Sequence, residues 1–341
     1  MSTRLIVVDD PLFSLHAAPG LHPERPERLV AARAALKSSA PFLSSVNLEP
    51  RDASDDELLR VHEPILLERL AQAEGNTGYF DPDTFFGRHS IAAARRAAGG
   101  ACTLMDHLRA ENARFGLALV RPPGHHARPG APMGFCLLNN AAVAAAHARA
   151  QGAERVVIVD WDVHHGNGTE EIFRSDPGVL YISLHQFPFY PGTGAASEQG
   201  VGEGAGYTVN IPLSPGAGDV VYTEAFRRIV NPVVEQYQPD LAIVSAGFDA
   251  HRRDPLGSMD LTERGYASML QCLLATLPEK APVAVLLEGG YDLDALEASL
   301  YATLQTLADK APIEKISGPI SNRHADELRR VESAQHRYWH L

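Results

Sequence analysis

The sequence predicts an α/β fold built on a mainly parallel sheet, and three observations carry that reading. Short β-branched apolar runs recur along the chain. Alanine-rich stretches with helical spacing alternate with them. Several of the apolar runs end in a cluster of ionisable residues and glycine. Near-continuous apolar runs mark strands buried on both faces, and their alternation with helices is the pattern of parallel crossovers.

In chain order the expected strands are Leu5–Val8, Leu117–Val120, Val156–Val159, Val179–Leu184, Leu241–Ser245 and Val283–Leu287. The expected helices include Glu27–Lys37, Ile91–Arg109, Asn140–Arg149, Gly218–Tyr237, Glu263–Ala275 and Leu293–Thr306. No internal repeat or low-complexity linker divides the chain, so one domain over 1–341 is expected. Its core covers about 5–310, and a C-terminal extension over about 312–341 has helical character at its end and no assignable role. Two long loops, 76–89 (NTGYFDPDTFFGRH) and 188–206 (PFYPGTGAASEQGVGEGAG), are rich in Gly, Pro and aromatics. Long irregular loops in a compact domain are usually functional or disordered, and the aromatic content favours a functional rim.

Composition narrows the function classes. There are 30 basic and 42 acidic residues, a net charge of −12, with no basic run. That argues against nucleic-acid binding through phosphates and would tolerate a cationic partner, although solubility alone explains it equally well. No run approaches the roughly 20 apolar residues of a membrane span, and the N-terminus MSTRLIVVDD is no secretory signal. The three cysteines, Cys102, Cys136 and Cys272, form no CxxC, which speaks against a disulfide framework or a thiolate zinc site. A cytoplasmic location is the expectation. Oligomeric state stays open, a homo-oligomer included.

In a parallel sheet, ligands sit beyond the carboxyl ends of the strands. Here LALV is followed by Arg121-Pro122-Pro123-Gly124-His125-His126, VVIV by Asp160-Trp161-Asp162-Val163-His164, LAIVSAGF by Asp249, and VAVLL by Glu288-Gly289-Gly290-Tyr291. Four such ends together point to a catalytic cleft. If the strand continued past Val159, Asp160, Asp162 and His164 would share a direction, with Trp161 and Val163 packing behind. A carboxylate and an imidazole at that spacing suit a divalent metal, with Asp249 as the best placed third ligand and an open position for water. The competing reading is a pair of helix-capping aspartates. The tandem His125-His126 suggests acid/base work, with Asp160 and Asn167 as candidates to orient the rings. Tyr291 could donate to an oxyanion, or be an ordinary packed tyrosine.

Taken together, HPERPERL (22–29), RPPGHHA (121–127), GFCLLNN (134–140), VDWDVHHGNGT (159–169), LYISLH (180–185), PGTG (191–194), SAGFDAHRRDPLG (245–257) and LEGGYDL (287–293) resemble the zinc-dependent histone deacetylase family. The match is closest to its class II branch and to bacterial histone-deacetylase-like amidohydrolases. The resemblance implies the arginase/deacetylase fold, a mainly parallel eight-stranded sheet flanked by helices, with the site at the strand C-terminal ends. It implies one zinc held by Asp162, His164 and Asp249, with metal-activated water hydrolysing an acyl amide. His125 and His126 would form the acid/base pair, braced by Asp160 and Asn167, and Tyr291 would be the oxyanion donor. It also implies potassium at an inner site of Asp160, Asp162, His164, Ser183 and Leu184, and at an outer site of Phe173, Asp176, Val179 and Tyr207. The substrate tunnel would be walled by Gly134, Phe135, Tyr190 and Leu256. Asp81 or Asp83 could contact a substrate backbone or a cationic tail, and Arg28 would assist release of the acid product.

The substrate so implied is an acyl-lysine protein or peptide. The nearest rival is a small acetylated amine, as for acetylpolyamine deacetylases, although Leu256 stands where those relatives tend to carry glutamate. An arginase-like enzyme with two manganese ions is a third reading, weakened because Gly166 occupies the place of a further aspartate. A non-catalytic acyl-lysine binder would be expected to have lost one of the residues named, and all are present.

Overall fold

The near-continuous apolar runs lie in the interior of one eight-stranded sheet. The computed structural model describes residues 2–110, 113–310 and 316–341. The start of the expected C-terminal extension, 312–315, lies outside the described residues. The strands are β1 (Thr3–Val8), β2 (Leu43–Leu48), β3 (Gly78–Tyr79), β4 (Phe85–Phe86), β5 (Phe115–Ala118), β6 (Val156–Asp160), β7 (Val179–Gln186), β8 (Thr208–Leu213), β9 (Leu241–Ala246) and β10 (Val283–Leu287). The large sheet runs β2-β1-β5-β10-β9-β6-β7-β8, and β3 and β4 form a separate two-stranded ribbon. All pairings in the large sheet are parallel.

The helices are α1 (Glu27–Ser38), α2 (Asp55–Leu58), α3 (Pro64–Ala73), α4 (Ser90–Ala110), α5 (Asn140–Ala150), α6 (Asn167–Phe173), α7 (Asp219–Ala225), α8 (Asn231–Tyr237), α9 (Glu263–Thr276), α10 (Leu293–Leu307) and α11 (Asn322–Gln335). Side-chain caps start several of them: Asn139 accepts from Ala142 N at 2.9 Å and Asp292 from Ala295 N at 2.8 Å, satisfying donors that have no partner within the helix. One apolar core continues from Leu5 to Trp339.

Four strands escaped the sequence reading: β3 and β4, a short ribbon within the expected loop 76–89, and two strands of the large sheet, both of them its edges. β2 (LSSVNL) is largely exposed and β8 (TVNIPL) contains Pro212. Edge strands need no continuous apolar run and tolerate proline, so the signal that marks central strands is missing. The expected strand Leu117–Val120 begins two residues earlier, at Phe115. The expected helix Gly218–Tyr237 is a continuous path with a wider π turn over Phe226–Val230. Pro232 follows that turn and cannot donate to the Arg228 carbonyl, a common cause of such a bulge.

The sheet order makes the site. The strands whose ends carry the polar clusters, β5, β10, β9 and β6, are four neighbours at the centre of the sheet. Their carboxyl ends therefore deliver those clusters to one place.

Candidate active site

β6 ends at Asp160, so Asp162 and His164 lie beyond it in a bend. Their convergence comes from this turn and not from strand alternation, which corrects the sequence expectation. The turn is tied by its own aspartates. Asp160 Oδ1 accepts from Asp162 N at 3.2 Å and Asp162 Oδ1 from His164 N at 2.9 Å. Asp249 Oδ1 accepts from Val163 N at 2.8 Å, binding the end of β9 to the same turn. Trp161 and Val163 are fully buried in the core behind it.

Ligand atoms of Asp162, His164 and Asp249 lie within 4.8 Å of one another. His164 Nδ1 is 3.0 Å from Asp162 Oδ1 and 3.3 Å from Asp249 Oδ2. Two observations fit a divalent cation here. Asp249 Oδ2 is buried without a hydrogen-bond partner. A Cβ on Gly289 would sit 2.1 Å from that oxygen and 2.5 Å from Asp162 Oδ2, so only glycine leaves the cradle open. The two carboxylates within 3.3 Å of His164 Nδ1 bias that imidazole toward its cation. Burial opposes charge on His164, but both aspartates outweigh it and hold the imidazole up to about 10. Burial, then the Asp162 charge, push Asp249 up to about 7. An ion between them would take the place of that proton.

The tandem histidines stand beside this cluster with unlike partners. His125 Nδ1 donates to Asp160 Oδ2 at 3.0 Å, and His126 Nδ1 donates to Asn167 Oδ1 at 2.8 Å. Burial disfavours the His125 cation, yet the charges of Asp160 and Asp162 raise its pKa well above the usual value. His126 moves the other way, lowered well below by burial and then by the neighbouring imidazoles of His125 and His164. Its Nδ1–H is committed to Asn167, which leaves Nε2 to carry the lone pair.

These groups share a cleft of about 460 Å³ with Gly134, Phe135, Tyr190, Leu256, Asp83 and Tyr291. Phe135 holds a φ of 68°, uncommon for a side chain of that size, and meets the Tyr291 ring edge-on at 5.9 Å. Tyr190 faces His126 edge-on at 5.2 Å. Burial raises the Tyr291 hydroxyl well above the ordinary phenol range, so it stays protonated and able to donate. The two long loops flank this cleft, one through Asp83 and the other through Phe189 and Tyr190. Asp81 is otherwise engaged: its carboxylate accepts from Asp83 N and Thr84 N and shapes the turn.

Arg28 lies outside the cleft lining. It is fully buried behind Tyr291, its guanidinium 5.0 Å from that ring, and it donates to the Gly290 and Glu288 carbonyls and to Glu24. The residues expected at potassium sites fall into two groups. Asp160 and Ser183 are register partners across β6 and β7, with Leu184 next in the strand. Phe173, Asp176 and Val179 form one hydrogen-bonded turn, and the Tyr207 carbonyl accepts from Tyr181 N beside it. The Asp176 carboxylate is already paired with Arg149 and Gly178 N.

Sequence reasoning gives two site residues no role of their own. Glu288 is buried, and its Oε2 accepts from Gly124 N at 2.7 Å and His125 N at 3.2 Å, clamping the histidine turn. Burial pushes its carboxyl up to about 7. A carboxyl ending a buried strand, as Asp160 does on β6, was the available signal. Phe189 stacks on His164 at 5.4 Å and 18°; the aromatic content of its loop marks a rim, but nothing local says that this ring meets His164.

Comparison with known proteins agrees with this geometry. The histone deacetylase domain model matches residues 22–307. Histone deacetylase 15 of Arabidopsis thaliana is 46% identical over 306 residues, covering 88% of this chain and 55% of that protein. Polyamine deacetylase HDAC10 of Homo sapiens is 38% identical over 357 residues, covering 99% of this chain and 51% of that protein. The chain thus spans about half the length of these two relatives. The crystal structure of the HDA15 HD domain superposes with a TM-score of 0.92 at 42% identity, covering 99% of this chain and 97% of that one.

Proposed function

The chain belongs to the histone deacetylase domain family, and from that premise we propose that it hydrolyses the acyl amide of Nε-acyl-lysine in a protein or peptide. The observation that carries the reading is the pair of histidines with opposite electrostatic bias facing the Asp162–His164–Asp249 cluster in one apolar cleft.

Asp162, His164 and Asp249 would hold a zinc ion, which when bound polarises the amide carbonyl and lowers the pKa of water toward neutrality. The remaining work falls to the chain. Phe135, Tyr190 and Leu256 give an aliphatic lysine stem apolar walls and keep water off the amide. His126, held neutral, takes the proton of the attacking water. His125, kept cationic by Asp160, stabilises the developing negative charge and protonates the departing amine. Environments that push two titratable groups apart in this way assign base and acid. The Tyr291 hydroxyl donates to the carbonyl oxygen as it becomes anionic. Potassium at the oxygen-rich groups around Asp160–Ser183 and Phe173–Tyr207 would be structural.

An acetylated polyamine is the second reading. Asp83 in the cleft lining favours it, because a carboxylate there would meet a distal ammonium. The apolar Leu256 in the same lining favours acyl-lysine. The test is a side-by-side assay of the zinc-loaded protein on an acetyl-lysine peptide and on acetylspermidine. The peptide is expected to react with the higher kcat/KM, and a polyamine value far above it overturns the assignment.

A further inference from the structure

The family match stops at residue 307, yet the chain continues into α11 and a short tail ending at Leu341. That segment lies along β8, an edge strand of the sheet whose residues are largely buried. Gln335 Nε2 donates to the Thr208 carbonyl at 2.8 Å, where a further strand would otherwise have paired. Trp339 Nε1 donates to the Gly206 carbonyl at 2.8 Å. Gly206 has a φ of +95°, and a Cβ on it would sit 2.6 Å from the Tyr338 ring, so the tail packs directly on the loop backbone. Ion pairing of Arg228 with Glu332 at 2.6 Å ties the helix to the body.

The same tail reaches the loop that walls the cleft. Gln199 is buried between them. Its Nε2 donates to the Ala334 carbonyl, its Oε1 accepts from Arg337 Nη2 at 2.5 Å, and its own carbonyl accepts from Gly206 N at 2.6 Å. The next residue inward, Glu198, accepts from Gly194 N at 2.8 Å and, through its carbonyl, from Asn210 at 3.2 Å. Gly194 and Thr193 meet His185 and His165 at 2.8 Å each. Tyr190 and Phe189 follow immediately on the cleft side. Behind them, between the loop and α11, is an open cavity of about 700 Å³ lined by Phe187, Pro188, Ala195 and Ala196. Direct support from the tail therefore falls at Gln199 and Gly206.

We propose that the segment from Ser321 to Leu341 is a strap that sets the position of the cleft-wall loop 187–206, with Gln199 as the positioning residue that carries its hold toward Tyr190. Gln199 touches no reacting group. It acts on how well an acyl chain is gripped and not on the proton transfers. The effect on substrate rests on the deacylase reading above, whereas the hold itself does not.

Two variants of the whole chain test this, Gln199→Ala and Trp339→Phe, the second keeping an aromatic ring beside Tyr207 and Tyr237 and removing the donor to Gly206. Amide hydrogen exchange is expected to accelerate across 187–206 and stay unchanged across 115–126. KM for an acetyl-lysine peptide is expected to rise roughly 3- to 10-fold with kcat within about twofold, the signature of lost uniform binding. Unchanged exchange across 187–206 in both variants overturns the strap. Faster exchange with unchanged KM, or a fall in kcat alone, overturns the positioning role. A parent protein inert on acyl-lysine defeats the deacylase reading instead, and exchange then decides the strap without any substrate.

Discussion

Asp162, His164 and Asp249 at the centre of the sheet, and Glu57, Cys102 and His147 between α2, α4 and α5, each bring three potential ligand atoms within 4.8 Å of one another. Only the first cluster calls for an ion, and the difference lies in what surrounds the ligands. Glu57 is already satisfied: Arg51 holds both its oxygens at 2.5 and 2.7 Å, and Ser54 donates as well. His147 Nε2 pairs with Asp106 at 2.7 Å. Burial drives the Cys102 thiol far up, away from the thiolate a metal would need. At the sheet end, among the described residues, no Lys or Arg pairs with Asp162 or Asp249, Asp249 Oδ2 has no donor, and a cleft opens onto the cluster. Ligand-type atoms at ligand spacing thus make a candidate metal site only where no Lys or Arg already neutralises the carboxylates and a reactant can enter.

The largest expected effect tests that contrast directly. Asp249→Ala or Asp162→Ala should abolish stoichiometric zinc and activity together, read by elemental analysis and turnover, whereas Glu57→Ala and Cys102→Ala should keep one zinc per chain. Zinc that tracked Glu57 would invert the comparison. Next in size, His126→Ala should lower kcat by about 10²–10⁴-fold, and Tyr291→Phe by about 10²–10³-fold, with zinc content unchanged in both. A Tyr291→Phe variant as fast as the parent would return that tyrosine to ordinary packing.

A smaller effect concerns the orienting partners. Asn167→Asp places a carboxylate on His126 Nδ1 and favours its cation. The His126 pKa should then rise, and the acidic limb of the kcat/KM profile should move to higher pH. A limb that stayed in place would remove Asn167 from the mechanism. The smallest effect belongs to the second cluster. Its hydrogen bonds with Arg51 hold the Glu57 carboxyl down to about 2 from 4.5. A depressed carboxylate contributes stability that is present above pH 4.5 and lost as pH falls through about 2. Because Arg51 is half exposed, the pair should be worth roughly 1 kcal/mol or less. Glu57→Gln should therefore be slightly less stable at pH 7 and lose less on acidification across that window, measured by denaturant unfolding, with turnover intact.

How far the site was legible follows the same division. Asp160, Asp162, His164, His125, His126 and Tyr291 announce themselves because ionisable residues directly after a buried apolar run need a reason. Glu288 carries the same signal but was given no role, since nothing local says that its partners are the amides of Gly124 and His125, more than 160 positions away. Phe189, Gln199 and the edge strands β2 and β8 carry no local signature that tells their role. Their roles exist only through neighbours distant in sequence.

The sequence by itself determined the alternation of strands and helices, the parallel sense of the sheet and the clusters that close its central strands, because hydrophobic periodicity and chain-local chemistry are written residue by residue. It also carried the family motifs in order. Tertiary structure alone decided that those four strand ends are adjacent, that the turn after Asp160 and not strand alternation gathers the candidate ligands, and that His125 and His126 have surroundings that bias them in opposite directions. It also decided which of two ligand-like clusters has an arginine on its carboxylate and which has none. Each of these depends on burial and on charges brought together from remote parts of the chain, and a pKa or an unpaired oxygen is a property of that surrounding rather than of the residue.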